Sequence, residues 1–414
     1  MGLNLFLAKR IGSKADTTGK LSRMGSRISV LSVAISIAVI VVACAVANGF
    51  RDEILEKARG YSADITLAAL GEEITGTSKP VNYPLSYLEE LENLPFVGSI
   101  NGVTYSQGIL KGENDISGLI LKGVDSTYNL NFYERHLIAG EVPSFKGKRA
   151  SNEIMISKSL AQALQYKVGD KATAYFAGEQ ARVRRFEITG IFDAQLQEID
   201  KYLAIADIRQ TTRLNGWKGT VGGYEIMLRK GAEWSDETAS ALEEAIYMNT
   251  TEEDTSVAAT SLQEKYYIFY DWLNLLDMNV LIILALMMAV AGFNMISALL
   301  IMLFERISQI GLLKALGMSN GAVSRVFLTK AAITVLQGML AGNTSALLIC
   351  IAQAKFRIIS LNPENYFVSY VPISIEWTQI LTMNLVAFAT IMLVMLLPTL
   401  FIGKINPATT MRVK

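Results

Sequence analysis

The residue types that most often carry catalysis are scarce in this chain. Its single histidine, His136, sits in Tyr133-Glu134-Arg135-His136. No second His or nearby Cys completes a metal site or a catalytic triad around it. The two cysteines, Cys44 and Cys350, both lie in apolar runs, so neither a CxxC zinc site nor a disulfide scaffold is available. The segment Gly12-Ser13-Lys14-Ala15-Asp16-Thr17-Thr18-Gly19-Lys20-Leu21 has the outline of a phosphate loop. It fails on three counts. Six residues separate its glycines instead of four, Leu21 stands where a magnesium-binding hydroxyl belongs, and no strand precedes it. The better reading is a solvated basic stretch. Asp193, Glu198 and Asp200 read as solvated acids. The sequence therefore supplies no catalytic residue, no metal centre and no ATP site, and it does not read as an enzyme.

The elements that would position any functional group are clearer. The 414 residues balance 38 Lys+Arg against 38 Asp+Glu, which removes the bulk electrostatic case for a nucleic-acid binder. Charge is unevenly spread: the stretches 28–50, 278–304, 331–354 and 377–403 hold no Asp, Glu, Lys or Arg. About 20 apolar helical residues cross a bilayer core, so each stretch is long enough to span. Residues 1–27 carry net +5, 305–330 net +3 and 404–414 net +3, whereas 51–277 carries −11. By the positive-inside rule, both termini and the 305–330 loop face the cytoplasm. Val41-Val42-Ala43-Cys44 has the look of a lipobox, and Ala43-Cys44-Ala45 of a signal-peptidase site. A long N-terminal region ahead of a full-length span suits a retained anchor instead.

The expected fold is an α-helical membrane protein with four transmembrane helices and a large α+β extracytoplasmic (periplasmic) domain between helices 1 and 2. Residues 1–48 form the cytoplasmic N-terminus and first helix, 49–270 the external domain, and 271–414 the remaining three helices. Alternation predicts strands over 63–69, 97–105, 118–124, 153–157 and 224–229, with a hairpin of 171–176 and 181–188 around the 177–180 turn. Helices are expected over 85–94, 159–164 and 236–248. The polar, acidic 250–256 stretch reads as a linker back to the membrane.

Three features of the spans bear on function. The first runs on into Asn48-Gly49-Phe50-Arg51-Asp52-Glu53-Ile54-Leu55, so its helix is expected to project outward and carry force. Gly338 and Gly342 make a small-xxx-small pattern, which suits packing within the subunit or a dimer seam equally well. The second span is rich in methionine, an adaptable apolar side chain. After it comes Glu305-Arg306-Ile307-Ser308-Gln309-Ile310-Gly311-Leu312-Leu313-Lys314-Ala315-Leu316-Gly317, a short cytoplasmic amphipathic helix over 305–317. Ile310, Leu313 and Leu316, with Leu312 and Ala315, give it a broad apolar face that must be covered by lipid or a partner. Gly317 is its expected left-handed stop and Ser319 the cap of the next helix.

At these residues the chain resembles the FtsX/MacB superfamily of ABC-transporter permeases. Glu305-Arg306 followed by Ile310-Gly311-Leu312-Leu313-Lys314-Ala315-Leu316-Gly317-Met318 looks like that superfamily's signature. Ala291-Gly292-Phe293-Asn294-Met295-Ile296-Ser297 is similar to its LolC/LolE branch, the lipoprotein-releasing permeases. Leu121-Lys122-Gly123-Val124-Asp125, Val168-Gly169-Asp170, Gly190-Ile191-Phe192 and Asn406-Pro407-Ala408 also fit, so the resemblance runs along nearly the whole chain.

The resemblance implies partners and a mechanism. Two copies of a separate ABC ATPase subunit would bind ATP and Mg, leaving this chain without a cofactor. A second permease subunit, homologous or identical, would complete the pair. The 305–317 helix would seat in an ATPase groove, and ATP-driven closure would push the first two helices together and move the external domains. Acylated lipoprotein cargo would enter laterally from the outer leaflet and pass to a periplasmic chaperone. Burial of about 0.8 kcal/mol per CH₂ explains why extracting acyl chains needs ATP. The expected cargo path is Val46 and Phe50 on the first span with Met278, Ile282 and Met287 on the second, chosen by outer-half position and side-chain type. One departure stands out. The branch's protruding chaperone-capturing hook would align with 171–188, where this chain has only a short turn. The hook is reduced, or the partner subunit carries it, or capture works differently. Three other readings compete: a MacB-like efflux permease, an FtsX-like mechanotransmission subunit activating periplasmic hydrolases, and a membrane receptor or adhesion module. The absence of a fused ATPase domain, the size of the external domain and the apolar helix count against them in turn.

Overall fold

The structure, a computed structural model, describes residues 20–76, 78–113, 115–177 and 182–399. Residues 12–19 of the glycine–lysine segment, the 178–181 part of the hairpin turn and Asn406-Pro407-Ala408 lie outside the described residues. In chain order the main elements are helix α1 (Lys20–Ser62), strands β1 (Ile65–Ala69) and β2 (Val81–Asn82), α2 (Leu88–Glu92), and β3 (Val97–Lys111), β4 (Ile116–Val124), β5 (Leu137–Gly140) and β6 (Glu153–Ser157). Then come α3 (Lys158–Leu164), β7 (Lys171–Phe176), β8 (Arg182–Phe192), β9 (Leu203–Asp207), α4 (Ile208–Asn215), β10 (Thr220–Val221), β11 (Gly223–Leu228), α5 (Asp236–Asn249) and β12 (Val257–Ser261). Helices α6 (Tyr267–Glu305), α7 (Ile307–Ala315), α8 (Asn320–Phe356) and α9 (Trp377–Val394) complete the order.

Two compact units emerge. One is helical and comprises residues up to Asp52, Trp272–Ser360 and Tyr370 onward; the other comprises Glu53–Asp271 together with Leu361–Ser369. Helices α1, α6, α8 and the last helix, Trp377–Thr399, are each long and apolar enough to cross a membrane. Within the helical unit, Val33, Ile37 and Val41 of α1 pack with Met295, Leu299 and Leu303 of α6 and with Phe327, Val335 and Met339 of α8. Polar side chains join helices where apolar ones would leave the partner choice loose. Asn294 Nδ2 donates to Ser32 Oγ at 2.5 Å, and Asn343 and Asn384 exchange reciprocal bonds of 2.8 and 3.0 Å.

The two glycines of the small-xxx-small pattern face α1. A Cβ on Gly338 would lie 2.7 Å from Val33 Cβ, and one on Gly342 2.5 Å from the Ala34 carbonyl oxygen. Of the two uses open to this pattern, the structure shows packing within the chain. Gly342→Leu is therefore expected to cost about 1–3 kcal/mol through overpacking. A melting curve of the purified variant in detergent checks this, and an unchanged Tm would mean that α1 gives way freely.

The second unit is α+β. Its ten-stranded sheet runs β12-β1-β11-β3-β4-β9-β6-β8-β5, with β7 set between β3 and β8, and β2 pairs β10 separately. Strand β3 is 15 residues long because it serves two neighbourhoods. Residues 97–103 pair with β11, whereas 104–111 pair with β4. The first neighbourhood buries Ile65, Leu67 and Ile226 beneath Leu91 of α2 and Leu242 and Ile246 of α5. The second buries Leu110, Leu121, Ile154, Phe186 and Ile188 beneath Leu160 and Leu164 of α3 and Leu214 of α4.

Two expectations need correction here. The helix expected over 85–94 is a single turn, since only Leu91 among its residues within Leu88–Glu92 is buried. The 250–256 stretch is no linker to the membrane, because it leads into the edge strand β12. Its Asp254 accepts from Ser86 Oγ and Thr251 Oγ1, each at 2.7 Å, and from Asn82 Nδ2 at 3.3 Å. These donors, Ser86 first, hold its carboxyl down at about 2.

Candidate functional site

Helix α6 ends at Glu305 and α7 begins at Ile307, so the chain turns at Arg306. Gly317 takes φ +91°, a conformation that stops a helix cheaply only at glycine. Ser319 Oγ then accepts from the Ala322 N–H at 3.3 Å and starts α8. The broad apolar face expected of this helix is divided in the structure. Ile310 is 1% exposed and belongs to the helical unit's own core, with Gly311 buried beside it. Leu313, Lys314 and Arg306 are half-buried, and Glu305 and Ala315 are exposed. Leu312 and Leu316 are 52% and 77% exposed. Their spacing of four places them on one side of the helix, so they form the apolar pair available to a partner. Phe304, 68% exposed at the end of α6, went unnoticed because it sits inside a charge-free run.

The five residues expected to line a cargo path differ in burial. Phe50 is buried, packing edge-to-face on Trp272 with ring centroids 6.1 Å apart, and Val46 and Met287 are half-buried. Met278 and Ile282 are exposed one turn apart on α6. The reason for Phe50 lies in its neighbours, which fasten the 48–51 stretch of α1. Asn48 Nδ2 donates to Gln379 Oε1 at 2.5 Å, Gly49 approaches Pro372 too closely for a side chain, and Arg51 pairs with Asp277. A separate apolar cavity of about 130 Å³ is lined by Ile40, Leu284, Met288, Met383 and Val386, and includes none of the five.

The α+β unit holds a buried ionic centre. Lys122, in the Leu121-Lys122-Gly123-Val124-Asp125 run, pairs with Glu225 at 2.8 Å, both being essentially inaccessible. Its Nζ also donates to the Tyr61 carbonyl at 2.7 Å and the Tyr128 hydroxyl at 2.8 Å. Tyr105 and Tyr128 donate to Glu225 at 2.9 and 2.6 Å. Burial pulls the Lys122 ammonium below its ordinary pKa and Glu225 pulls it back, while burial first and the nearby carboxylate second push both tyrosines well up. Three further polar residues have ordinary structural places. Lys57 donates to the Phe367 carbonyl at 2.7 Å, Lys158 pairs with Asp193 at 2.8 Å, and His136 Nδ1 lies 2.8 Å from the Phe132 carbonyl. Among the described residues, no group of three or more His, Cys, Asp or Glu is placed to hold a metal ion.

Asp200, expected to be solvated, is buried and accepts from the Tyr61 hydroxyl. Burial raises its carboxyl to about 6. That lies above the unfolded value of about 3.9, so the folded chain takes up a proton as pH falls from 7 toward 4 and gains stability over that window. Relative to Asp200→Asn, the native chain is expected to gain about 2–3 kcal/mol between pH 7 and pH 4. Unfolding curves for the two proteins across that range check it, and parallel pH profiles would overturn it.

Comparison with known proteins follows the two units. Residues 26–253 match the MacB-like periplasmic core domain and residues 281–407 the FtsX-like permease C-terminal family. The chain is 22% identical over 407 residues to the lipoprotein-releasing system transmembrane protein LolC of Xylella fastidiosa, covering 94% of this chain and 93% of that one. It is 20% identical over 406 residues to the corresponding protein LolE of Haemophilus influenzae, covering 92% and 93%. The periplasmic region of MacB from Actinobacillus actinomycetemcomitans overlays at TM-score 0.37 and 13% identity, covering 52% of this chain and 97% of that one.

Proposed function

Because this chain belongs to the FtsX-like ABC-transporter permeases that carry a MacB-like periplasmic core domain, we propose that it is the transmembrane subunit of a lipoprotein-releasing transporter. In this reading it lifts lipoproteins out of the outer leaflet of the inner membrane and releases them toward a periplasmic chaperone. The observation that carries the reading is the end-to-end match to a lipoprotein-releasing protein, covering 94% of the chain. The charge asymmetry supports a cytoplasmic placement of both termini and of α7, with the −11 segment outside.

ATP and Mg are bound by two copies of a partner ATPase, and a second permease subunit, homologous or identical, completes the pair. Helix α7 is the coupling element, presenting Leu312 and Leu316 to the ATPase while Ile310 holds it to its own spans. ATPase closure then pushes on α1, an unbroken helix of 43 residues. Met278 and Ile282 are among the apolar side chains that α6 leaves exposed, and in this reading they meet an acyl chain. Phe50 serves instead to hold α1 in place. Strands β7 and β8 pair in register from Lys171↔Glu187 to Phe176↔Arg182, leaving a link of only five residues. Chaperone capture thus rests on a reduced hook, on the partner subunit or on another surface.

The test is to purify the tagged protein with its ATPase in the absence of nucleotide and identify what is bound by mass spectrometry. Acylated lipoproteins that leave when ATP and Mg are added are the expected result. A preparation free of lipoproteins that instead holds an outer-membrane channel or a peptidoglycan hydrolase would overturn the reading in favour of MacB-like efflux or FtsX-like activation.

A further inference from the structure

Strand β12 closes one end of the ten-stranded sheet and pairs with β1 alone among the described residues. Its register is Ile65↔Ser261 through Ala69↔Val257, and the flanking bonds Leu70 N–H to Ser256 O and Leu262 N–H to Asp64 O extend the same ladder. In an antiparallel pair, alternate residues turn both backbone groups toward the partner strand. Residues 256, 258, 260 and 262 therefore face β1, while Val257, Ala259 and Ser261 face away. The Ser261 N–H is taken by Glu264 Oε2 at 2.9 Å. The outward N–H and C=O groups of Val257 and Ala259 have no protein partner among the described residues. Natural edges are usually blunted by lysine, proline or a bulge, and this one has none of the three.

Beside the edge lies a groove of about 480 Å³, lined by Glu243, Ile246, Tyr247 and Thr250 of α5 and the following turn and by residues 256–259. Tyr247 is 82% exposed and Met248 70%, an unusual outlay of apolar surface on one helix. Residues 231–264 contain nine Asp and Glu and no Lys or Arg. An open strand edge, a groove for alternate side chains, Glu243 in its lining and Glu244 exposed next to it on α5 together define what fits.

We propose that this edge docks an extended, lysine- or arginine-bearing segment of another polypeptide, which adds as a further strand beside β12. Its backbone pairs with Val257 and Ala259, alternate side chains enter the groove against Ile246 and Tyr247, and its basic groups meet Glu243 and Glu244. A second copy of this chain is the wrong occupant, because two edges of the same acidic sign repel.

The test uses the full-length protein in detergent and a fluorescent ten-residue peptide of alternating valine and lysine, with a valine–glutamate peptide as the charge control. Ala259→Pro removes an outward N–H that the sheet does not use, a place where an edge strand tolerates proline. Glu243→Lys with Glu244→Lys reverses exposed charges on α5 and leaves the core untouched, so it decides the matter should the proline variant misfold. The lysine peptide is expected to bind, to weaken with added salt, and to bind each variant about tenfold or more less tightly. Failure of the lysine peptide to bind, equal binding by the glutamate peptide, or undiminished binding to the charge-reversed variant would overturn the proposal. So would a concentration-dependent dimer that Ala259→Pro dissolves, since the edge would then belong to a second copy.

Discussion

Replacing Lys122 with methionine is expected to destabilise the α+β unit by about 3–5 kcal/mol, the cost of leaving one member of a buried ion pair without its partner. Glu225 would keep its two tyrosine donors but lose the charge 2.8 Å away, in a site with essentially no solvent. The Tyr61 carbonyl would lose its ammonium donor as well. Lys122→Met combined with Glu225→Leu should recover most of the loss, because a pair replaced together leaves no uncompensated charge. The two single costs should therefore fall well short of adding. Denaturant unfolding of the full-length protein, followed by proteolytic release of the α+β unit, measures all three variants. A single variant within about 1 kcal/mol of the native protein would mean that water reaches the pair.

That centre also marks where the sequence stops being readable. The four apolar helices announce themselves because each is free of charge over its whole crossing length, a pattern few other structures require. Strands β6 and β7 alternate or run apolar between clear turn residues, and the structure places them where that pattern does. Strand β9, Leu203-Ala204-Ile205-Ala206-Asp207, was missed. It lies parallel to β4 with both faces covered, so it shows no alternation and its alanines look like any helix. Strand β12 was missed for the opposite reason, since Val-Ala-Ala-Thr-Ser at an edge is too weakly apolar to stand out from the acidic stretch before it. Lys122 and Asp200 carry nothing in their neighbours that signals burial. Their partners, Glu225 and Tyr61, lie 103 and 139 residues away and meet them only through the sheet and α1. The family resemblance pointed to Leu121-Lys122-Gly123-Val124-Asp125 as a unit, and the structure supplies the physical reason for its lysine. The same limit applies to α7: spacing identifies its apolar residues, but only packing tells which of them the protein has already used.

That division leads to the expected result of largest functional effect. Leu312→Glu together with Leu316→Glu should abolish association with the ATPase while leaving the melting temperature of the permease unchanged. Burying two leucines in a partner groove contributes about 3–6 kcal/mol, so their loss weakens binding by a hundredfold or more. Ile310→Ala is the contrasting variant. Ile310 is 1% exposed in the helical core, so its truncation should cost about 2–5 kcal/mol of stability. Gly311 belongs with it, being buried beside Ile310, and a charge there would confuse unfolding with uncoupling. Pull-down of the ATPase by each purified variant, paired with its melting curve, separates the two roles. If the double glutamate variant still retains its ATPase, α7 is not the coupling element. If it loses both ATPase and melting temperature, Leu312 and Leu316 are spent on the fold rather than on a partner. Their exposure of 52% and 77% makes retention of the fold the expected outcome, because a side chain the fold does not bury costs it little when it becomes charged.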